Sequence, residues 1–381
     1  MKREIYGEEH LAFRDSVRQT LARHVEPNLE SFFAAKALPR ELWLALGAQG
    51  LLSLDVPEQY GGMGANDYRF NAILNEELAR VTPGLASCVS IHFDVVAPYL
   101  VELGTEDQKQ RWLPAFCTGE LVTAIAMTEP SGGSDLAALR TSAVRRGDTW
   151  VVNGSKTFIT NGASADLVIV AARTNPNERS KGITLFAVEA TAKGFQRGRK
   201  LDKVGQAESD TSELFFDDLV LTDADVIGEV DRGFIHMMER LPQERIGAAV
   251  ANLAHATAIL AETLEYVRER RAFGQPIGSF QHNKFVLAEL ATKIDVTQAY
   301  VDNAVRAHAE GNLSAVDAAK AKWWSAEIQN EVMDACLQLY GGYGYMNEYR
   351  VARAWRDARI TKIWAGSNEI MKEIIGRDLG L

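Results

Sequence analysis

Cysteine is scarce in this chain. Only Cys88, Cys117 and Cys336 are present, far apart and without a CxxC pair, which argues against a disulfide framework or a thiolate zinc site. The seven histidines lack HExxH or any comparable spacing, so no metal ligand set is expected. Long apolar runs are missing as well. No stretch approaches the ~18 consecutive apolar residues of a membrane helix, so no membrane span is expected. The polar start "MKREIYGEEH" has no apolar signal-peptide core, and a cytoplasmic location is expected. Positive charge is short of balance: Lys and Arg number 41 against 51 Asp and Glu, a net −10 that disfavours nucleic acid or an anionic membrane as partner. Neither GxGxxG opening a helix nor GxxxxGK[ST] occurs, so nicotinamide-dinucleotide and P-loop readings fail at the first step.

What is present is organised by period. With 381 residues, 46% of them apolar and 24% charged, the chain is long enough for two or three globular domains. Residues 1–118 carry helical patterning, as in the stripe Leu11, Val17, Leu21 and Val25. Residues 119–228 turn to short strand-like runs such as "DLVIVAA" and "GITLFAVEA", with hairpin signals at Asn153-Gly154 and Arg146-Gly147-Asp148. Residues 229–381 return to long helices. Ile246, Val250, Leu253, Thr257, Leu260, Leu264 and Val267 step alternately by four and three, a bundle seam with one polar member. Further helices are expected at about 280–310, 315–340, 348–361 and 367–377. The fold class read from this order is α+β: a helical domain, a mostly antiparallel β domain, and a helical bundle.

Four stretches have the composition of a binding site. "KIWAGSNEIMKE" (362–373) is a helix start: Gly366 permits a tight backbone, Ser367 or Asn368 can cap, and Glu369 suits the positive end of the helix dipole. On these residues alone a plain interhelical cap is the favoured reading, but it leaves the apolar Ala365 at its edge without a reason. "AMTEPSGGSD" (126–135) follows a strand and offers hydroxyls at Thr128 and Ser134 beside Gly132 and Gly133, which allow close backbone approach. "LYGGYGYMNEYRVARAWRDARI" packs glycines and aromatics between helices, and "VRERRAFG" (267–274) is a basic patch in an acidic protein.

Taken together, these stretches resemble the acyl-CoA dehydrogenase family from end to end. "MTEPSGGSD" is similar to its first signature, and "QLYGGYGYMNEYRVARAWRD" to its second, with Gln338, Gly341, Gly342, Gly344, Glu348, Arg353 and Asp357 in register. "NGSKTFITNG", "RRAFGQPIGSFQ" and "GLLSLDVPEQYGGMG" resemble further family blocks. The resemblance implies an N-terminal helical domain, a middle β domain and a C-terminal four-helix bundle, assembled as a homotetramer (a dimer of dimers). It also implies FAD as cofactor, an acyl-CoA substrate of long-chain or branched-chain type, and an electron-transfer flavoprotein as acceptor. Ile125 to Ser134, including Met127, Thr128 and Gly133, would lie along the flavin, with Ser134 also near substrate, and Phe158, Ile159 and Thr160 would cover its other side. Family members commonly carry Trp where Phe158 stands. Arg270, Phe273, Gln281, Gln338, Gly341 and Gly342 would cradle the cofactor of a neighbouring subunit, with Ser367 and Glu369 in the flavin step. Arg245, Ala365 and Gly366 would border the substrate. An oxidase using O2, or a non-catalytic flavoprotein on the same fold, would fit the same scaffold.

The reaction of that family needs a carboxylate base to remove an α-proton. Many members carry it where this chain has Ala365, which cannot serve. Glu369 is accounted for by the helix dipole, Glu348 by the glycine corner, and Glu239 precedes a break expected at Pro242. Glu244 differs: at helical spacing it shares a face with Gly247, Ala248 and Ala251, a strip narrow enough for a thin acyl chain. The resemblance agrees, since long-chain and isovaleryl-type members place the base at the position matching Glu244.

Overall fold

The computed structural model describes residues 3–381. Helices come first: α1 (Glu8–His24), α2 (Leu29–Ala35), α3 (Arg40–Ala48), α4 (Tyr68–Val81) and α5 (Pro83–Ser90). A π-helical turn, Ile91–Val96, then leads into α6 (Ala97–Leu103) and α7 (Glu106–Thr118). The caps explain the breaks. Thr82 ends α4 and its hydroxyl accepts from Leu85 N of α5, while Thr105 and Gln108 form a reciprocal capping box at the start of α7. In α1 the stripe is buried at Val17 and Leu21, with Val25 just past its end, but Leu11 is exposed and His10 is the buried side chain of the first turn.

The span Pro83–Leu103 corrects one expectation. At 21 residues it is long and apolar enough to cross a membrane, yet 83% of its most apolar window is buried inside the protein. It is a core helix.

Eight strands follow: β1 (Thr123–Ala126), β2 (Ser142–Arg146), β3 (Thr149–Thr160), β4 (Leu167–Arg173), β5 (Ile183–Glu189), β6 (Phe195–Lys200), β7 (Thr211–Thr222) and β8 (Val226–Ile227). They form one sheet in the order β6-β7-β3-β2-β4-β5-β8, with β1 paired parallel to β4. Most pairs are antiparallel. Gly147, at φ 60°, makes the β2–β3 turn expected at 146–148. Asn153-Gly154 is not a hairpin. β3 runs straight through it, and Gly154 instead sits at a register shift against β7, where a Cβ would approach Thr141 to 2.6 Å. An added side chain is excluded there by crowding, not by a tight turn.

The last region holds α8 (Gly233–Glu269), a two-strand ribbon β9 (Arg271–Ala272) and β10 (Gln275–Pro276), α9 (Gln281–Ala309), α10 (Ala315–Tyr340), α11 (Arg350–Ala358) and α12 (Asn368–Asp378). α8 passes through Pro242 unbroken. Its seam is buried as expected except at Leu264, which is half-buried, and at Thr257, which is exposed beside fully buried Ala256.

The cores cross the three regions. One joins Tyr60, Tyr99 and Trp112 of the first helices to Leu167 and Ile169 of β4 and to Met237 of α8. Another joins Tyr68 and Ala72 of α4 to Ile246 and Val250 of α8 and to Val301 of α9. Shared apolar burial therefore fixes α8 against the first helices, and that junction carries the candidate site.

Candidate active site

Glu244 lies on the first half of α8, half-buried where that helix meets α6 and the π turn. The Tyr99 hydroxyl donates to its Oε1 at 3.4 Å. Burial pushes the carboxyl up to about 7; Arg245, the Tyr99 hydrogen bond and Arg240 oppose that rise, and the Asp94 charge adds to it. A half-buried carboxyl half-ionised near neutrality has the properties of a general base. Other acidic candidates lack them. Glu369 and Glu348 are exposed, and the Glu239 side chain keeps 58% of its surface in solvent.

The small-residue strip is narrower than the sequence suggests. Gly247 is buried, and a Cβ there would come within 2.4 Å of Asp94 Oδ2. It is a notch that admits Asp94, not free surface for a ligand. Ala248 and Ala251, one and two turns beyond Glu244, are half-buried, and Ala251 packs against the core of the first helices.

Arg245 points the other way round α8. Its side chain is buried, its Nε has no hydrogen-bond partner, and desolvation lowers its proton affinity. Its guanidinium borders Gly366: a Cβ built there would lie 4.0 Å from Nη2. The corner itself is strained. Ala365 has φ 52° and Gly366 φ 83°, and the alanine costs ~1 kcal/mol for that conformation. Ser367 caps α12 by accepting from Ile370 N at 3.4 Å, as the sequence implied. Beneath, fully buried Lys322 of α10 donates to Gly366 O at 2.6 Å and to Asn368 Oδ1 at 3.3 Å, which fixes the corner from below. Burial drops the Lys322 ammonium to about 8, with the Arg245 charge adding to the fall.

A second wall comes from the sheet. Thr157 N donates to Thr128 O at 3.0 Å, joining the loop after β1 to the end of β3. Behind it, Lys156 is wholly buried and donates to Met127 O at 3.0 Å and to Glu129 Oε1 at 2.9 Å. Glu129 also accepts from Arg140 N and Thr141 N, so the 127–134 loop is anchored by a buried ion pair. Burial lowers Lys156 to about 8 against the Glu129 charge. Phe158 has φ 59° and is 68% exposed, an apolar ring held out on strained backbone. Gly132, Gly133 and Ser134 are exposed beside it, and nothing lies within 4 Å of a Cβ at Gly132. Ile125, Met127, Thr128 and Thr160 are half-buried along the same wall. Ile159 is the exception: its side chain is 3% exposed in the sheet core, so only its backbone can face a ligand.

Arg270, Phe273, Gln281, Gln338, Gly341 and Gly342 gather at the far end of α8 and are all exposed. The Arg270 guanidinium sits 5.5 Å from the Tyr343 ring centre, beside the two glycines. Phe273 has φ 51° and is 96% exposed. Within the described residues no hydrogen bond or ring contact joins this group to the 125–134 wall.

Comparison with known proteins decides the family. Profiles of the acyl-CoA dehydrogenase N-terminal, middle and C-terminal domains match residues 7–120, 124–219 and 231–380 in that order. The chain belongs to the acyl-CoA dehydrogenase family. It is 44% identical over 382 aligned residues to a mitochondrial long-chain specific acyl-CoA dehydrogenase of Rattus norvegicus, covering 99% of this chain and 88% of that one. A mitochondrial isovaleryl-CoA dehydrogenase of Solanum tuberosum is 35% identical, over 98% of this chain and 91% of that one. The solved acyl-CoA dehydrogenase of Geobacillus kaustophilus superposes with a TM-score of 0.98 at 44% identity, covering 100% of both chains.

In this acyl-CoA dehydrogenase the structure adds four residues that sequence reading passed over: Tyr99, Asp94, Lys156 and Lys322. Two had a signal. Asp94 is the lone carboxylate inside the apolar run "CVSIHFDVVAPYLV", and Lys156 is the only charge in "NGSKTFIT". Tyr99 and Lys322 are ordinary helix residues whose neighbours arrive from distant sequence.

Proposed function

We propose that the protein is an FAD-dependent enzyme that desaturates long-chain or branched-chain acyl-CoA thioesters between the α- and β-carbons. Its electrons would pass to an electron-transfer flavoprotein. The single observation that carries the reading is Glu244: a half-buried carboxyl that accepts from Tyr99, next in sequence to Arg245, whose guanidinium borders the Ala365–Gly366 corner.

The residues fit FAD. An exposed Phe158 on strained backbone, a side-chain-free surface at Gly132 and Gly133, and an exposed Arg270 with five potential donors form an apolar face and an oxyanion site. Met127, Thr128, Thr160 and Ser367 would hold the ring system, and Arg270, Gln338 and Gly342 the phosphates. Bound there, FAD supplies the acceptor for a hydride leaving the β-carbon. Glu244 would take the α-proton. Tyr99 orients its carboxylate, Arg245 and Lys322 bring positive charge to the 365–367 corner where a thioester oxygen would gain charge, and Ala248 and Ala251 exclude water along the acyl chain. In the homotetramer proposed here, the Arg270 group of each subunit would complete its neighbour's cofactor site.

The test is anaerobic bleaching of the bound flavin by a panel of acyl-CoAs. Bleaching by dodecanoyl- to palmitoyl-CoA, or by isovaleryl-CoA, supports the reading and separates its two substrate classes. Glu244→Gln should bind the same thioesters but lose ~10²–10⁴ in bleaching rate. Wild-type bleaching by that variant, or turnover sustained by O2 alone, would overturn it.

A further inference from the structure

Behind Glu244 stands a second carboxylate that no step above uses. Asp94 is 2% exposed, and its two oxygens meet four side-chain donors. Asn71 Nδ2 and Gln243 Nε2 donate to Oδ1 at 3.3 and 3.0 Å; Asn75 Nδ2 and the Tyr68 hydroxyl donate to Oδ2 at 2.9 and 3.2 Å. Ionised Asp94 is thus fully supplied with donors, and these oppose the burial that raises its carboxyl to about 6. The local backbone is also specialised. The π turn Ile91–Val96 swings Asp94 towards α8, and Gly247 clears the space for it, since a Cβ would sit 2.4 Å from Oδ2.

The cluster grips α8 at the residue before Glu244. Gln243 donates to both the Asp94 backbone and side chain, at 2.9 and 3.0 Å, and its Oε1 pairs with His308 Nε2 at 3.1 Å. Six side chains from α4, the π turn, α8 and α9 thus form one network that ends one residue from the base. We propose that Asp94 is a positioning residue for Glu244: it fixes the turn of α8 that carries the base and presents a second negative charge to it. This rests on the reading of Glu244 as base.

The sign of the effect follows from the groups that face each carboxylate. Around Glu244 stand Arg245 and Arg240 of its own helix, Tyr99 of α6 and Asp94 of the π turn, with Lys322 of α10 and Glu369 of α12 beyond Arg245. Around Asp94 stand Asp55, Tyr68 and, through Gln243, His308. The cations and the Tyr99 hydroxyl favour ionised Glu244; only the Asp94 charge is both close and opposed. Removing it favours the ionised base, so the base should become available at lower pH.

The experiment titrates Glu244 in the purified holoenzyme by difference infrared spectroscopy of the carboxyl band, each background compared with its own Glu244→Gln partner. Asp94→Asn, which an amide flip of Asn75 accommodates, should lower the midpoint by about half a unit to one unit. Tyr68→Phe keeps the charge and removes one donor, so it should leave the midpoint in place; a merely structural disturbance would move both. Gly247→Ala, whose methyl would push directly on Asp94 Oδ2, should change the midpoint while leaving both carboxylates in the sequence. The acid limb of flavin reduction by dodecanoyl-CoA should follow the Asp94→Asn shift. An unmoved infrared midpoint in Asp94→Asn overturns the proposal whatever the kinetics do. A midpoint that moves while the kinetic limb stays fixed upholds the coupling and overturns Glu244 as base.

Discussion

Replacing Tyr99 by Phe tests the electrostatics of the base with little loss of packing. Tyr99 is fully buried, its ring lies 5.3 Å under the Arg240 guanidinium, and among the described residues its hydroxyl is the one side-chain donor that reaches Glu244. At 3.4 Å that hydrogen bond is at the long end of the useful range, so ~0.5–1 kcal/mol is a reasonable net value. The bond favours the charged carboxylate; its loss therefore raises the value from about 7, by ~0.4–0.7 units at ~1.4 kcal/mol per unit. At pH 7 the ionised fraction should fall from about a half to about a quarter. Flavin reduction by dodecanoyl-CoA should thus slow about twofold at neutrality and match the wild type near pH 9, where both carboxyls are ionised. Anaerobic stopped-flow across that range reads the effect directly. A limb that moves to lower pH, or a loss of the same size at every pH, would refute the electrostatic account.

Other outcomes follow from the same geometry. In a Glu244→Gln background, Ala365→Glu should restore part of the flavin reduction, with the shortfall reflecting a corner whose φ of 52° was not shaped to aim a carboxylate. Arg270→Ala should weaken FAD retention and loosen the oligomer together, by about 2–5 kcal/mol for a charge removed from a desolvated phosphate; a fully yellow, intact oligomer by sedimentation would contradict that. Lys156→Met leaves Glu129 as a buried uncompensated charge, and should cost about 3–5 kcal/mol in denaturant unfolding while the 127–134 loop becomes protease-sensitive.

The long-period features of the fold were legible in the sequence because burial leaves a periodic trace. The α9 and α10 spans match the expected helices within a residue or so, and the alternation of the middle region does announce a sheet. Failures came where one residue type serves two geometries. Asn153-Gly154 is a common turn pair, yet here a glycine is needed because Thr141 crowds it from a neighbouring strand. Gly247 looked like free surface for a ligand, but the atom it admits comes from 153 residues earlier in the chain. Pro242 suggested a break that the packed helix around it overrides. The same limit hid the supports of the site: Glu244 and Arg245 stand out in "LPQER", whereas Asp94, Tyr99 and Lys322 acquire meaning only once helices meet.

α8 is a single rod with Glu244 near one end and Arg270 just past the other. Twenty-six positions separate them, a reach of about 39 Å at the rise of an α-helix. If the two ends serve different cofactors, the rod is a ruler between neighbouring reaction centres. Its sequence can drift, but its length cannot: one inserted residue would advance the far end by about 1.5 Å and turn it by about 100°. Arg270 would then point away from whatever its end meets, while Glu244 stayed in place. Substitutions along the middle of α8 should therefore be tolerated wherever they keep the seam, and single-residue insertions nowhere, a contrast that an insertion scan of residues 252–264 would expose.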